Sequence, residues 1–323
     1  MSGVLVTGAT TPIGERLVRS LLADTAIDHV LAVSNRPPEA ALPFSQGDRL
    51  VYCSVDLSRT RPVRELLFGV ARDLAVTTVI HLSMHRSTAA HGARVHALNV
   101  DALRSLLQLC ERHPTIERLV LKSWGEVYQV QHDLPTLVTE DHPLNMGAGA
   151  PQWIRDRVEA DTTASTRMGM SKLEIMVLRC AEVLAPGTGS QLFDYLQSPI
   201  CLRPAGFDPM MNLLSIQDVI VALELAARAR GIQGILNIPG ADTLPLSECV
   251  ARFGKPDIPL PSTLITPVYR LRRRLRGADF SYGMNRRRFH YASVLDGTRA
   301  RQALGYEPAH SIEWPFESTD PVS

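Results

Sequence analysis
Along the first half of the chain, short runs of apolar, β-branched residues alternate with segments whose apolar positions recur every three or four residues. Gly3-Val4-Leu5-Val6-Thr7 predicts a strand. Ile13, Leu17, Val18, Leu21 and Leu22 then form one face of a helix over 13–23. Residues 29–33 and 50–55 predict the second and third strands. A helix over 61–74 leads to a strand over 78–82, and a longer helix over 95–111 leads to a strand over 118–121. Strands that are apolar throughout are buried on both faces, so the pattern predicts a parallel sheet with helices on each side. Right-handed crossovers make it an α/β, doubly wound sheet.

The second half is less regular. Pro135, Pro143, Gly147, Gly149 and Pro151 predict a long loop over 135–153. A polar helix over 152–168 and a strand over 173–178 follow, and prolines thicken beyond Pro186. There is no internal repeat and no low-complexity tract.

Composition narrows the class. A chain of 323 residues, 45% hydrophobic and 21% charged, fits a folded α/β domain with a smaller appendage and excludes global disorder. The net charge of +1 selects no partner. Of the 34 basic residues only Lys122, Lys172 and Lys255 are lysines, so lysine chemistry has three candidates. Cys53, Cys110, Cys180, Cys201 and Cys249 include no CxxC pair. Their odd number and scatter predict a reducing compartment without a disulfide framework or zinc site. No basic n-region precedes the first strand and no run of about 18 apolar residues occurs, which predicts a cytoplasmic protein without a signal peptide or membrane span.

The chemistry begins at Thr7-Gly8-Ala9-Thr10-Thr11-Pro12-Ile13-Gly14, between the first strand and the first helix. Such a turn presents backbone N–H groups and a helix N-terminus to a pyrophosphate. It resembles the TGxxGxxG turn of the extended short-chain dehydrogenase/reductases, the NAD-dependent epimerase/dehydratase family, with Thr11 in place of the middle glycine. Further segments resemble the family's in order. They are Asp56-Leu57, His81-Leu82-Ser83, Asn99-Val100-Asp101-Ala102 (NVxGT), Glu140 to Leu144 (ExxPL) and Leu178 to Gly187 (LRxxNVYGPG). Ser215 to Val219 (VxDVA), Gly234 to Ile238 (GxxYNV) and Leu304 to Pro308 (LGYxP) complete the series.

The resemblance implies a Rossmann-like dinucleotide-binding domain over 1–185 and a smaller substrate lobe over 186–323, with 215–240 returning to the first domain. It implies cofactor contacts from Gly8, Thr10, Thr11, Pro12, Ile13 and Gly14. Others are expected from Ser34, Asn35, Arg36, Asp56 and Leu57, from Leu82, Ser83 and Asn99, and from Arg157. No metal site is expected. Thr11 adds a hydroxyl donor to the turn. The segment Val33-Ser34-Asn35-Arg36 lacks the carboxylate that would hold the ribose hydroxyls of NAD, and Arg36 can pair with a 2′-phosphate. That predicts NADP as the cofactor; the alternative for Arg36 is a solvated loop arginine.

The family's acid–base tyrosine, its lysine partner and its Ser/Thr are altered here. Anchoring on Val127-Tyr128 puts Trp124 at the Ser/Thr position, with Ser123 facing the other side of the strand. Ser171-Lys172 looks like the end of a YxxxK motif, but only seven residues separate Lys172 from Arg179, too few for the intervening helix. Trp153 therefore takes the tyrosine position and Arg157 the lysine position, and none of the three lysines falls in register. Tyr128 and Ser123 are fallback catalytic groups, with Glu126 and His85 as further substitutes.

Eight arginines and one acid lie between Arg270 and Arg288, beside helically spaced Leu264, Ile265, Val268, Leu271 and Leu275. This predicts an anionic substrate site or a membrane-surface segment, or else a solvated face. No aromatic interleaving accompanies it, so nucleic acid is not expected. Three functions remain open: a nucleotide-binding or partner protein without Tyr-Lys-Ser catalysis, an active NAD(P)-dependent oxidoreductase or epimerase using other groups, and a membrane-peripheral protein with a vestigial nucleotide site. The family resemblance also raises a homodimer.

Overall fold
The computed structural model describes residues 3–37, 48–147, 149–277 and 279–314. The outer limits expected for the two domains, 1 and 323, lie outside them. Seven strands form the main sheet: β1 Gly3–Thr7, β2 Val30–Ser34, β3 Leu50–Ser54, β4 Val76–His81, β5 Arg118–Trp124, β6 Glu174–Cys180 and β7 Gly234–Ile238. Every pairing is parallel, and the spatial order is β3-β2-β1-β4-β5-β6-β7. Chain order reverses between β1 and β4, which opens a crevice at their C-terminal ends.

Alternation along the strands explains both cores. Val4, Val6, Val30 and Ala32 enter one, against Leu17, Val18 and Leu21 of the helix Pro12–Ala23 and Val219 and Leu223 of the helix Ile216–Arg228. Leu5, Leu31 and Val33 enter the other, against Leu103, Leu106 and Leu107 of the helix Ala102–Cys110 and Ala160 and Ala164 of the helix Gln152–Ser165. Each fully buried Leu or Val contributes about 1.5–3 kcal/mol.

A third core, around Tyr195, Tyr269, Phe280 and Phe289, belongs to the C-terminal part. There Cys201–Pro204 pairs with Asp257–Leu260, and Met210–Leu214 lies between Glu182–Val183 and Asp242–Pro245. Two details differ from the periodicity reading. The stretch read as a long loop contains the strand Leu137–Val138, which pairs with Val294–Leu295, a partner far away in sequence. The helix read as reaching residue 168 ends at Ser165, where Ser165 and Thr166 hydroxyls bond back to carbonyls of the last turn.

Candidate functional site
The turn after β1 is built by its own residues. Gly8 has φ +69°, and Thr11 caps the helix Pro12–Ala23 by accepting from Gly14 N at 3.1 Å. A Cβ on Gly14 would lie 2.2 Å from Gly8 O, so only glycine lets the helix close on the turn. The Thr11 hydroxyl, the extra donor expected in the turn, donates to Gly8 O at 2.8 Å, and Thr11 also lines the groove described next. From β4, Leu82 and Ser83 donate backbone N–H groups to Thr7 Oγ1 at 3.2 and 3.4 Å. His81 bonds the same hydroxyl at 2.9 Å, and burial pushes its pKa down to about 4, so it is neutral.

A groove of about 630 Å³ runs along the C-terminal ends of β1, β2 and β4. Gly8, Thr10 and Thr11 line its middle, and Ser34, Asn35, Arg36, Asp56 and Leu57 line one end, together with Ser83. Thr10 and Ser34 hydroxyls share a hydrogen bond of 2.9 Å. Arg36 N donates to Ser34 Oγ at 3.0 Å, and Tyr52 donates to Arg36 O at 2.7 Å. The Arg36 backbone is thus held, while its exposed side chain lines the groove. The opposite end carries Asp194 and Asp279, which sequence reasoning did not single out. Burial, with Asp279 and Glu182 nearby, pushes Asp194 up to about 7.

Asn99 and Gly14 line neither this groove nor the space beside it. Buried Asn99 accepts from His85 N at 2.8 Å and donates to Asp156 Oδ2 at 2.9 Å, bracing the loop after β4 against the helix Gln152–Ser165.

That helix delivers Trp153 and Arg157, one turn apart, to the corner beside β5. The Arg157 guanidinium carbon lies 3.4 Å from the centroid of Trp153 and 4.6 Å from that of Trp124. Lys122 Nζ is 4.4 Å from the Trp124 ring. None of the three lysines falls in the register of the family's motif, yet Lys122 reaches this corner from β5 itself, because residues 122 and 124 share a strand face. That spacing was the signal available in the sequence. Burial and the neighbouring Arg157 lower the Lys122 pKa to about 8, with Cys180, Glu126 and Glu182 opposing. Lys172 is exposed just before β6, at the N-terminal end of the parallel strands and so opposite the turn after β1.

The fallback groups face elsewhere. Ser123 donates to Asp161 Oδ2 at 2.5 Å, on the other face of β5. Asp161 is doubly bonded by Arg179 at 3.0 and 2.6 Å. Arg179 donates in turn to Tyr128 Oη at 3.0 Å, and Tyr128 donates to Asn237 Oδ1 at 2.6 Å. Burial pushes the Tyr128 phenol up to about 12 against the pull of Arg179. Glu126 is buried between Arg157 at 3.6 Å and Arg288 at 3.7 Å, and Arg288 continues to Glu182 at 2.6 Å.

At about 630 Å³ the groove is large enough for the adenosine and pyrophosphate portions of a dinucleotide. Gly8, Thr10 and Thr11 of the turn line it, and the Ser34 hydroxyl and Arg36 line one end. The corner framed by Pro12, Leu82, Lys122, Trp124 and Arg157 encloses only about 30 Å³. A water needs about 10–15 Å³ by this measure, so the corner as built has no room for a nicotinamide ring. Arg86 closes it from the groove side, donating to Gly187 O, while Trp153 Nε1 donates to Arg86 O at 3.4 Å.

The Arg270–Arg288 block does not form one surface. Arg288 joins the buried ion pairs, and Arg272 bonds Ile200 O and covers Tyr269. On the helix Ser262–Arg276, Ile265 and Tyr269 are buried while Leu264, Leu271 and Leu275 are 53%, 56% and 75% exposed. Other motif residues brace the lobes: Glu140 accepts from Asn237 N, Asp218 from the backbone of Ala309 and His310, and Tyr306 donates to Pro239 O. Among the described residues the five cysteines are free, no cluster could hold a metal ion, and no helix is long and apolar enough to cross a membrane.

Residues 4–238 match the model of the NAD dependent epimerase/dehydratase family. Uncharacterized proteins of Mycobacterium bovis and Mycobacterium tuberculosis are each 31% identical over 321 residues, covering 97% of this chain and 82% of theirs. Among solved structures, UDP-glucuronic acid 4-epimerase of Bacillus cereus, in complex with UDP-glucuronic acid and NAD, superposes with a TM-score of 0.71 at 17% identity. It covers 96% of this chain and 95% of its own. dTDP-glucose 4,6-dehydratase of Bacillus anthracis, in complex with NAD, gives 0.70 at 16% identity, with 96% and 93% covered.

Proposed function
Because the chain belongs to the NAD dependent epimerase/dehydratase family, we propose that it is a nucleotide-binding protein of that family that works without Tyr-Lys-Ser hydride transfer. Its groove would hold the adenosine and phosphate portions of NADP in preference to NAD. The observation that carries this reading is the packing of Arg157 against Trp153 and Trp124. An indole neither gives nor takes a proton near neutral pH, and an arginine stays charged. The nearby phenol, Tyr128, is hydrogen-bonded on both sides and raised in pKa, which counts against it as a replacement acid–base group. Solved relatives in complex with NAD support a dinucleotide as the ligand class. The absence of an acid beside Arg36 supports the 2′-phosphate.

The test is calorimetric titration with NADPH and with NADH. NADPH is expected to bind at least several-fold more tightly, and mixtures with sugar nucleotides, steroids or aldehydes should show no hydride transfer. Equal affinities would remove the role given to Arg36, and turnover would restore the oxidoreductase reading. The exposed stripe of Leu264, Leu271 and Leu275, interleaved with arginines, favours a second property, attachment to an anionic membrane surface.

A further inference from the structure
The corner beside β5 has an uneven charge count. Lys122, Arg157 and Arg288 contribute three cations, and Glu126 and Glu182 contribute two carboxylates. The carboxylates are committed: Glu126 lies between Arg157 and Arg288, and Glu182 accepts from Arg288, Ser190 and Leu192 N. Lys122 is buried, with its ammonium 4.4 Å from the centre of the Trp124 ring. Buried Arg157 leaves Nε and Nη1 without a hydrogen-bond acceptor; its approach to Glu126 is 3.6 Å. The carboxylates that act on Lys122, Glu126 and Glu182, are already paired with Arg157 and Arg288, and a buried guanidinium with vacant donors is costly.

Both side chains line the same 30 Å³ space, walled by Trp124 and roofed by Arg86. The other titratable groups near it do not fill the role of an anion. Burial pushes the Cys180 thiol up to about 11, and the His85 ring, also lining the space, leaves its Nδ1 unpartnered.

We propose that this niche is a binding site for a carboxylate group, held between the Lys122 ammonium and the free donors of Arg157. A carboxylate can accept from one free guanidinium N–H and from an ammonium at once, and its planar group lies flat against an indole. The space takes about two water-sized groups, the bulk of a carboxylate and less than that of a tetrahedral phosphate. The site does not rest on the nucleotide reading, because Lys122, Trp124 and Arg157 do not line the groove.

Having only three lysines makes the test direct. The native protein is treated with cyanate at pH 7, and carbamylation of Lys122, Lys172 and Lys255 is followed by mass spectrometry, with acetate, phosphate or chloride at equal ionic strength. Acetate is expected to slow modification of Lys122 saturably, by about tenfold, the effect of a one-unit rise in the amine's pKa. Lys172 and Lys255 should react at unchanged rates. The Arg157→Met variant should lose the protection. Equal effects of acetate and chloride, equal slowing at all three lysines, or saturable protection by phosphate alone would overturn the proposal. Should Arg157→Met not fold, the comparison of anions on the unaltered chain decides.

Discussion
The guanidinium carbon of Arg157 lies 3.4 Å from the centre of the Trp153 ring, one turn earlier on the same helix. This contact makes the two side chains one packed unit, since the cation covers the indole and the indole replaces water around the cation. A desolvated cation–π contact is worth about 2 kcal/mol.

Trp153→Ala should therefore destabilise the fold by about 3–5 kcal/mol, the cost of emptying a buried aromatic site. Urea unfolding followed by circular dichroism measures it. A loss below about 1 kcal/mol would mean that the indole is not packed as described.

Arg36→Ala should weaken NADPH and leave NADH unchanged. The side chain is exposed, so the loss is roughly 0.5–1 kcal/mol. Calorimetry of both nucleotides against both proteins reads it, and a parallel loss for NADH would show that Arg36 does not address the 2′-phosphate.

Tyr128→Phe leaves Asn237 Oδ1 and one Arg179 donor without the phenol. A stability loss of about 1–3 kcal/mol is expected. Differential scanning calorimetry reports it. An unchanged midpoint would indicate that the buried network is dispensable.

Asp194 gives a pH dependence of defined sign. Its folded pKa, about 7, lies above the ordinary 3.8, so the folded state holds its proton where the unfolded state has lost it. Stability from this group is fully present below pH 4 and is lost as pH rises toward 7. Asp194→Asn should flatten that part of the stability profile and raise stability at pH 8 relative to the unaltered chain. A variant whose profile still falls across this window would assign the effect to another group.

Leu271→Asp combined with Leu275→Asp should abolish co-sedimentation with phosphatidylserine-containing vesicles at low salt. The unaltered chain should pellet with them and stay free of purely phosphatidylcholine vesicles. Equal recovery with both vesicle types would contradict an electrostatic surface contact.

Much of the architecture was legible because each strand carries its own burial pattern. Val4-Leu5-Val6 is apolar at every position since both faces of β1 are covered, and Ile13, Leu17 and Leu21 mark the face of the following helix. The Gly8–Gly14 turn was legible for a local reason: a left-handed residue and a close approach both require glycine. The strand Leu137–Val138 was not legible, because two residues carry no period and the partner, Val294–Leu295, lies more than 150 residues away.

The candidate site divides in the same way. Trp124, Trp153 and Arg157 were singled out by the family resemblance, anchored at Val127-Tyr128, and by the helix length needed before Arg179. Their mutual contact, the closure by Arg86, and the chain of charges from Arg157 through Glu126 and Arg288 to Glu182 join segments from five parts of the chain. No local rule brings them together.

By itself, then, the sequence determined the alternation of strands and helices and the glycine-dependent turn after β1, since each depends on neighbours in the chain. The tertiary structure alone decided that Thr11 spends its hydroxyl on a cap, that Arg288 leaves the basic block for a buried ion pair, and that Lys122 meets Arg157. Those outcomes depend on which elements pack side by side, and burial then sets the charge and hydrogen-bonding demands of each group.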